Sequence, residues 1–448
     1  MTEPNLDLGV IGNCSFGALV DRQARVVWSC LPAFDGDPAF CTLLSPKTEG
    51  GDFAVELEDF ASSEQHYLPN TAVLRTVLRD RHGGELEVID FAPRWRNNGR
   101  FYRPVSIIRQ IRPLSGNPRI IVRARPLADW GGRTPDTTWG SNHIRWVLPE
   151  FTLRLTTDVP VRFVRDGLPF VLSHPVSLVL GVDESLTRSL TGYVQEAQER
   201  TEEYWREWVR YLSIPLDWQE AVIRSAITLK LCQYEDSGAI IAAMTTSIPE
   251  APNTPRNWDY RYCWLRDAAF VVRALNRLGA TRTMEQFIGY IFNIATTDGT
   301  MQPLYGIGFE SQLEEHEVDT MAGYRGMGPV RRGNLAWIQQ QHDVYGSVVL
   351  ASTQLFFDLR LKGISRPRRS AYLHRRDVLG GMRSPVQDCR PSGAARAQHL
   401  LARTCRRHPR ARVERGLERG ARSFHRHPRR PPAGCLAVAA GRYRHRGQ

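Results

Sequence analysis

Between residues 9 and 190 the apolar positions come in short segments divided by turn residues. Phe53–Leu57, Thr71–Leu78, Leu86–Phe91, Ser106–Arg112, Arg119–Arg125, Phe151–Thr156, Val161–Val164 and Phe170–Val182 are predicted strands. His82-Gly83-Gly84 is a predicted hairpin turn between two of them. Many short strands with little helical periodicity predict a sandwich. The period then changes. Over 193–212, Trp205, Trp208, Val209 and Leu212 fall at i, i+3, i+4 and i+7, with Glu196/Arg200 and Glu202/Arg206 spaced i, i+4 on the polar side. This is an amphipathic helix expected to bridge two domains.

From Asp217 the spacing stays helical. Asp217 is the expected cap of a helix with Val222, Ile223, Ala226 and Leu229 on its apolar face, and Glu220 sits where a capping box would place it. Asp267–Leu278 predicts a second helix ending at Gly279. Met284, Phe287, Ile288 and Ile291 mark a third, and Leu335–Leu359 a long fourth; 298–333 is a loop region rich in Gly and acids. The expected fold class is α+β and multidomain: a β-sandwich over 1–192, a linker helix in 193–216 and an all-α region over 217–360.

Charge divides the chain again. The 448 residues carry 59 Lys+Arg and 47 Asp+Glu, a formal +12. Residues 361–448 alone hold 23 Lys+Arg, 22 of them Arg, against Asp377, Asp388, Glu414 and Glu418, a net of +19 that leaves 1–360 at −7. Leu, Ile, Val and Phe make up less than about a fifth of this tail, the level below which a charged segment is expected to stay disordered. The basic surplus therefore says nothing about the body; nucleic acid is not an expected partner, and only a genuine basic tail, the rival to an out-of-frame one, would bind it. No run of 18 apolar residues suggests a membrane span. Met1–Leu8 has no basic-then-apolar export pattern. The eight Cys form no C-x-x-C pair and are read as reduced thiols of a cytoplasmic protein.

The densest chemistry is Asn257-Trp258-Asp259-Tyr260-Arg261-Tyr262-Cys263-Trp264-Leu265-Arg266-Asp267. Aromatic faces stack on sugar rings, and Arg and carboxylate groups bind vicinal hydroxyls, so the composition suits a neutral polyhydroxy ligand better than a phosphate. An equally weighted reading makes it an aromatic core edge with Asp267 as a helix cap. A second stretch, Tyr324 to Asn334, joins Gly to Arg325, Arg331 and Arg332, but no G-K-[ST] follows and it is not a P-loop. Glu310, Glu314, Glu315, Glu317 and Asp319 are read as a solvated loop ahead of a catalytic carboxylate pair. Cys405 and His408 lack a second ligand pair, so no metal site is expected.

Asn257–Phe270, "NWDYRYCWLRDAAF", resembles the signature segment of bacterial family 15 glycoside hydrolases, the glucoamylase and α,α-trehalase-like enzymes. Ile11–Phe34 is similar to the start of their trehalase-like N-terminal domain, and Gly323–Asn334 followed by Asp343–Val349 is similar to their next block. The resemblance implies an N-terminal β-sandwich followed by an (α/α)6 barrel, no cofactor, and inversion at an α-glucoside or trehalose by two Glu. It implies that Trp264, Arg266 and Asp267 line the terminal-glucose subsite and that Tyr324, Arg325 and Arg331 face the pocket. The chain departs from the family further on. It has no Glu between Glu317 and Glu414 and no Trp after Trp337, so neither catalytic Glu motif is present and no residue is assigned a catalytic role. The barrel is expected to be incomplete, the chain inactive, and residues 361–448 out of frame. If so, another reading frame of the DNA downstream of codon 362 yields a Trp-Glu motif and further amphipathic helices; two frames without them contradict the idea.

Overall fold

Alternation of apolar and polar residues produces two antiparallel sheets that share one core. In spatial order the first contains Gly9–Gly12, Gly17–Val20, Val26–Leu31, Asp52–Leu57, Arg119–Arg125 and Phe170–Val171, with Asp37–Phe40 paired on Val26–Leu31. The second runs Asp136–Trp139, His143–Val147, Thr152–Thr157, Val176–Val182, Ser106–Ser115, Glu85–Phe91, Leu74–Asp80 and Phe60–Tyr67. The computed structural model describes residues 4–46, 49–295 and 300–361, and these all fall in one unit. Ile120 and Val122 of the first sheet meet Leu86, Val88, Leu178 and Leu180 of the second. Each such buried aliphatic stabilises the fold by about 1.5–3 kcal/mol. Between the sheets lies one ion pair. Arg109 donates to both Asp90 oxygens at 2.7 and 3.2 Å and to the Phe53 carbonyl of the opposite sheet at 2.8 Å.

The helices are α1 (Val161–Arg165), α2 (Leu190–Arg210), α3 (Gln219–Leu231), α4 (Leu265–Arg277), α5 (Thr281–Ile294) and α6 (Asp343–Leu361). The bridging helix α2 packs Tyr193, Val194 and Ala197 onto the outer face of the larger sheet, against Ile89, Phe91, Ile108 and Val179. Glu85–Phe91 is thus covered on both faces, and every residue from Leu86 to Phe91 is buried, Glu87 and Asp90 included. α4, α5 and α6 form a second core from Ala268 and Val272, Met284, Phe287 and Ile291, and Val344 and Ala351, into which Phe34 of a sandwich loop inserts.

Several expected elements are different. Val161–Val164 is helical, because Pro160 fixes the preceding backbone and Phe163 N–H closes a turn on its carbonyl. Phe170–Val182 splits in two, with Pro175, which has no N–H, in the gap. α3 is preceded by Trp218 in a left-handed conformation with no side-chain cap, so Asp217 does not cap it. Trp264, not Asp267, stands before α4, and Asp267 lies in its first turn. Leu335–Leu359 is not one helix: Asn334 caps a 3-10 turn, Leu335–Ile338, and α6 begins afresh at Asp343. The apolar residues of the two pieces serve different cores, Ala336 and Trp337 in one and Val344 and Ala351 in the other. The hairpin at Gly83 stands as expected, its Asp80 carboxylate accepting from His82 and Gly84 N–H. The basic tail lies outside the described residues, as do its Cys405 and His408.

Sandwich and helices are joined by charges that are buried together. Arg94 donates to both Glu235 oxygens at 2.8 Å and to the Asn13 carbonyl at 2.6 Å, and Lys230 pairs with the same carboxylate. The Arg94 guanidinium also lies over the rings of Phe101 and Tyr204, 4.9 and 4.6 Å from their centres. Burial works to raise the Glu235 carboxyl, but Lys230 and Arg94 outweigh it and hold it down at about 2, against an ordinary 4.5. A lowered folded value means that the stabilisation is complete above pH 4.5 and drains away as pH falls from there toward 2. Glu235→Gln, which leaves two buried cations unpaired, is expected to cost about 3–5 kcal/mol at pH 7 and to flatten the acid-side slope. Urea unfolding from pH 7 down to 2.5 measures both; an unchanged slope contradicts the assignment.

Candidate functional site

Residues 257–264 run extended before α4, and their alternation separates two kinds of chemistry. Asp259 and Arg261 point inward and are fully buried, while Trp258 and Tyr260 are partly exposed. Arg261 donates to both Asp259 oxygens at 2.9 and 2.7 Å and to the Gly36 carbonyl of the sandwich at 2.8 Å, and stacks 4.8 Å from the Trp130 ring. Asp259 also accepts from Gly333 N–H at 3.3 Å, and Asn334 donates to its carbonyl at 2.9 Å. Asn257 holds the same loop through the carbonyls of Met327 and Pro329. This first Arg/Asp pair is therefore a structural clasp whose two charges neutralise each other inside the fold.

The second pair is different. Trp264 ends a two-residue strand paired with Leu304–Tyr305 and packs with Tyr262, Leu304, Leu313, Ala336 and Trp337. Its ring lies 6.2 Å from that of Tyr260. The indole N–H groups of Trp264 and Trp337 are both buried, and neither has an acceptor among the described residues. Beside them Arg266 is 38% and Asp267 50% exposed. Arg266 donates to Asp343 at 2.8 Å and Gln341 at 3.1 Å, and its Nε lies 3.7 Å from Asp267. Hydrogen bonding from Arg266 holds the Asp343 carboxyl below its ordinary value. Trp264, Arg266 and Asp267 thus come together, joined by Tyr260, Trp337 and Asp343.

The other expected residues sit elsewhere. Tyr324 packs in a cluster with Trp28, Leu44 and Met321 of the sandwich side and its adjoining loop, and Arg325 donates to the Pro4 carbonyl. Arg331 lies 4.8 Å over the Trp258 ring and donates to Glu315 at 2.8 Å and Glu317 at 3.2 Å. Glu310 closes its own turn on Gly308 N–H, and Glu314 is exposed. Asp343 is missed by sequence reasoning because an acid opening a helix reads as a partner of the helix dipole; nothing local shows that it reaches Arg266, 77 residues away. The five described cysteines, Cys14, Cys30, Cys41, Cys232 and Cys263, are free. Among the described residues no group of three or more His, Cys, Asp or Glu is placed to hold a metal ion, and no helix is long and apolar enough to cross a membrane.

Residues 4–145 match the family model for the trehalase-like N-terminal domain and residues 217–372 that for glycosyl hydrolases family 15, so the chain belongs to that hydrolase family. Among its relatives are the trehalase of Thermoplasma volcanium, 31% identical over 353 residues, and that of Mycolicibacterium smegmatis, 30% identical over 382. Each match covers 77% of this chain and 56% of the relative, so the chain spans about half the length of the curated relatives it matches. The solved structure of a bacterial glucoamylase complexed with acarbose superposes with a TM-score of 0.52 over 80% of this chain and 56% of that one, at 11% identity. The fold is glucoamylase-like.

Proposed function

We propose that this chain is a family 15 protein of the trehalase or glucoamylase type that keeps a glucose-binding wall and does not hydrolyse its ligand. The observation that carries the reading is the pairing of the Tyr260 and Trp264 rings, 6.2 Å apart, beside the half-exposed Arg266 and Asp267. Aromatic rings beside a half-exposed guanidinium and carboxylate suit the hydroxyls of a terminal glucose. The ligand class follows the trehalase relatives.

Inverting hydrolysis needs one carboxylic acid to protonate the leaving oxygen and a carboxylate on the opposite face to activate water, about 6.5–9.5 Å apart. Asp343 is held on the wrong side for a proton donor, since Arg266 favours its ionised form. Glu315 and Glu317 are engaged by Arg331. No Glu lies between Glu317 and Glu414. Residues 217–360 are read as an incomplete (α/α)6 barrel after a sandwich domain, 1–192, and a linker helix, 193–216. Phe270 on α4 and Leu350 on α6, 64% and 67% exposed, support this as faces to which further helices would add. The family match ends at residue 372, close to where the Arg-rich composition begins, which favours an out-of-frame tail. Incubating the purified chain with trehalose or maltose is expected to release no glucose. Titration calorimetry with glucose is expected to show binding, one event of which is lost in Trp264→Ala. Glucose release in proportion to protein, or binding unaltered by that substitution, contradicts the reading.

A further inference from the structure

A cavity of about 610 Å3 lies between the sandwich loops and the loop around Leu313, a size typical of small-molecule sites. Asp35, Trp130 and Glu150 line it from the sandwich, and Tyr262 and Glu314 from the helical half. None of Trp264, Arg266 or Arg331 lines it. Tyr262, which packs against Trp264 on its other side, forms the partition.

The wall is organised before any ligand arrives. Asp129 and Trp130 both hold left-handed backbone conformations, at φ 54° and 55°, which residues with side chains adopt at a cost and which cluster at binding sites. The loop is tied at both peptide ends: Trp130 N–H donates to Asp37 at 2.9 Å, and its carbonyl accepts from Thr320 at 2.6 Å. Arg261 fixes the Trp130 ring from one side. Carboxylates outnumber cations in the lining, and Arg261 is already neutralised by Asp259. Arg332 and His316 are the other basic groups there. Anionic ligands are disfavoured by this balance, whereas carboxylate acceptors beside Trp130 and Tyr262 suit a ring bearing hydroxyl groups.

We propose that this cavity is a second carbohydrate site, separate from the Trp264 wall, which takes a neutral polyhydroxylated ligand of mono- to disaccharide size. The choice of a sugar rests on the family reading; the existence of the site does not rest on the Trp264 wall. Titration calorimetry of the full chain with glucose is expected to give two bound ligands. Trp130→Ala removes one and leaves the one that Trp264→Ala removes. Asp35→Asn, which conserves shape, weakens the Trp130-dependent event about tenfold with the circular dichroism spectrum unchanged. Gluconate, an anionic counterpart, does not bind there. If Trp130→Ala and Asp35→Asn leave the isotherm unchanged while Trp264→Ala abolishes it, the second site is overturned and the proposed function stands. If Trp264→Ala has no effect while the other two do, the reverse holds. Absence of any sugar binding by folded protein, or gluconate binding as tightly as glucose, overturns the second site.

Discussion

The buried pair of Asp259 and Arg261 is the constraint on which the site depends. Both side chains are fully buried, and each uses its remaining hydrogen bonds to hold a different part of the chain. Arg261 reaches the sandwich at Gly36, and Asp259 reaches the loop at Gly333. An ion pair taken out of water is weak evidence for net stability, but removing one partner strands the other. The pair thus selects one register for the extended segment, and that register decides which aromatic residues face outward. Trp264, two residues beyond Tyr262, is placed by this clasp and by its strand pairing with Leu304.

Two Arg/Asp pairs of the same composition therefore do different work within nine residues. Asp259/Arg261 is spent internally. Arg266/Asp267 is half-exposed at the start of α4, where a carboxylate in the first turn is favoured by the helix dipole. The cross-link from Arg266 to Asp343 ties α4 to the start of α6, so the exposed charges are also held in place.

Much of the fold was legible from periodicity. Arg119–Arg125 occupies its expected span, and Met284, Phe287, Ile288 and Ile291 form the buried face of α5. The misses have local causes. At Val161 a β-branched apolar run follows Pro160, whose turn propagates as a helix. At Leu335–Leu359 one apolar rhythm conceals two segments belonging to different cores. At the site, the signature segment is legible as chemistry, but composition does not say which of its Arg/Asp pairs faces inward. That depends on Gly36 and Gly333, distant in sequence. The resemblance, not the spacing, is what points Tyr324 and Arg325 to the pocket; Tyr324 packs beside the sandwich and Arg325 donates to the Pro4 carbonyl. The cavity beside Trp130 had no sequence signal, because its walls come from loops far apart in the chain.

Hydrogen exchange on Asp259→Asn tests the role of the clasp most directly. If the pair couples the sandwich loop to the site, amide exchange rises together in 30–37 and in 325–334, on both sides of the substitution, while the β-sandwich core keeps its protection. A rise confined to 257–262 would contradict the account.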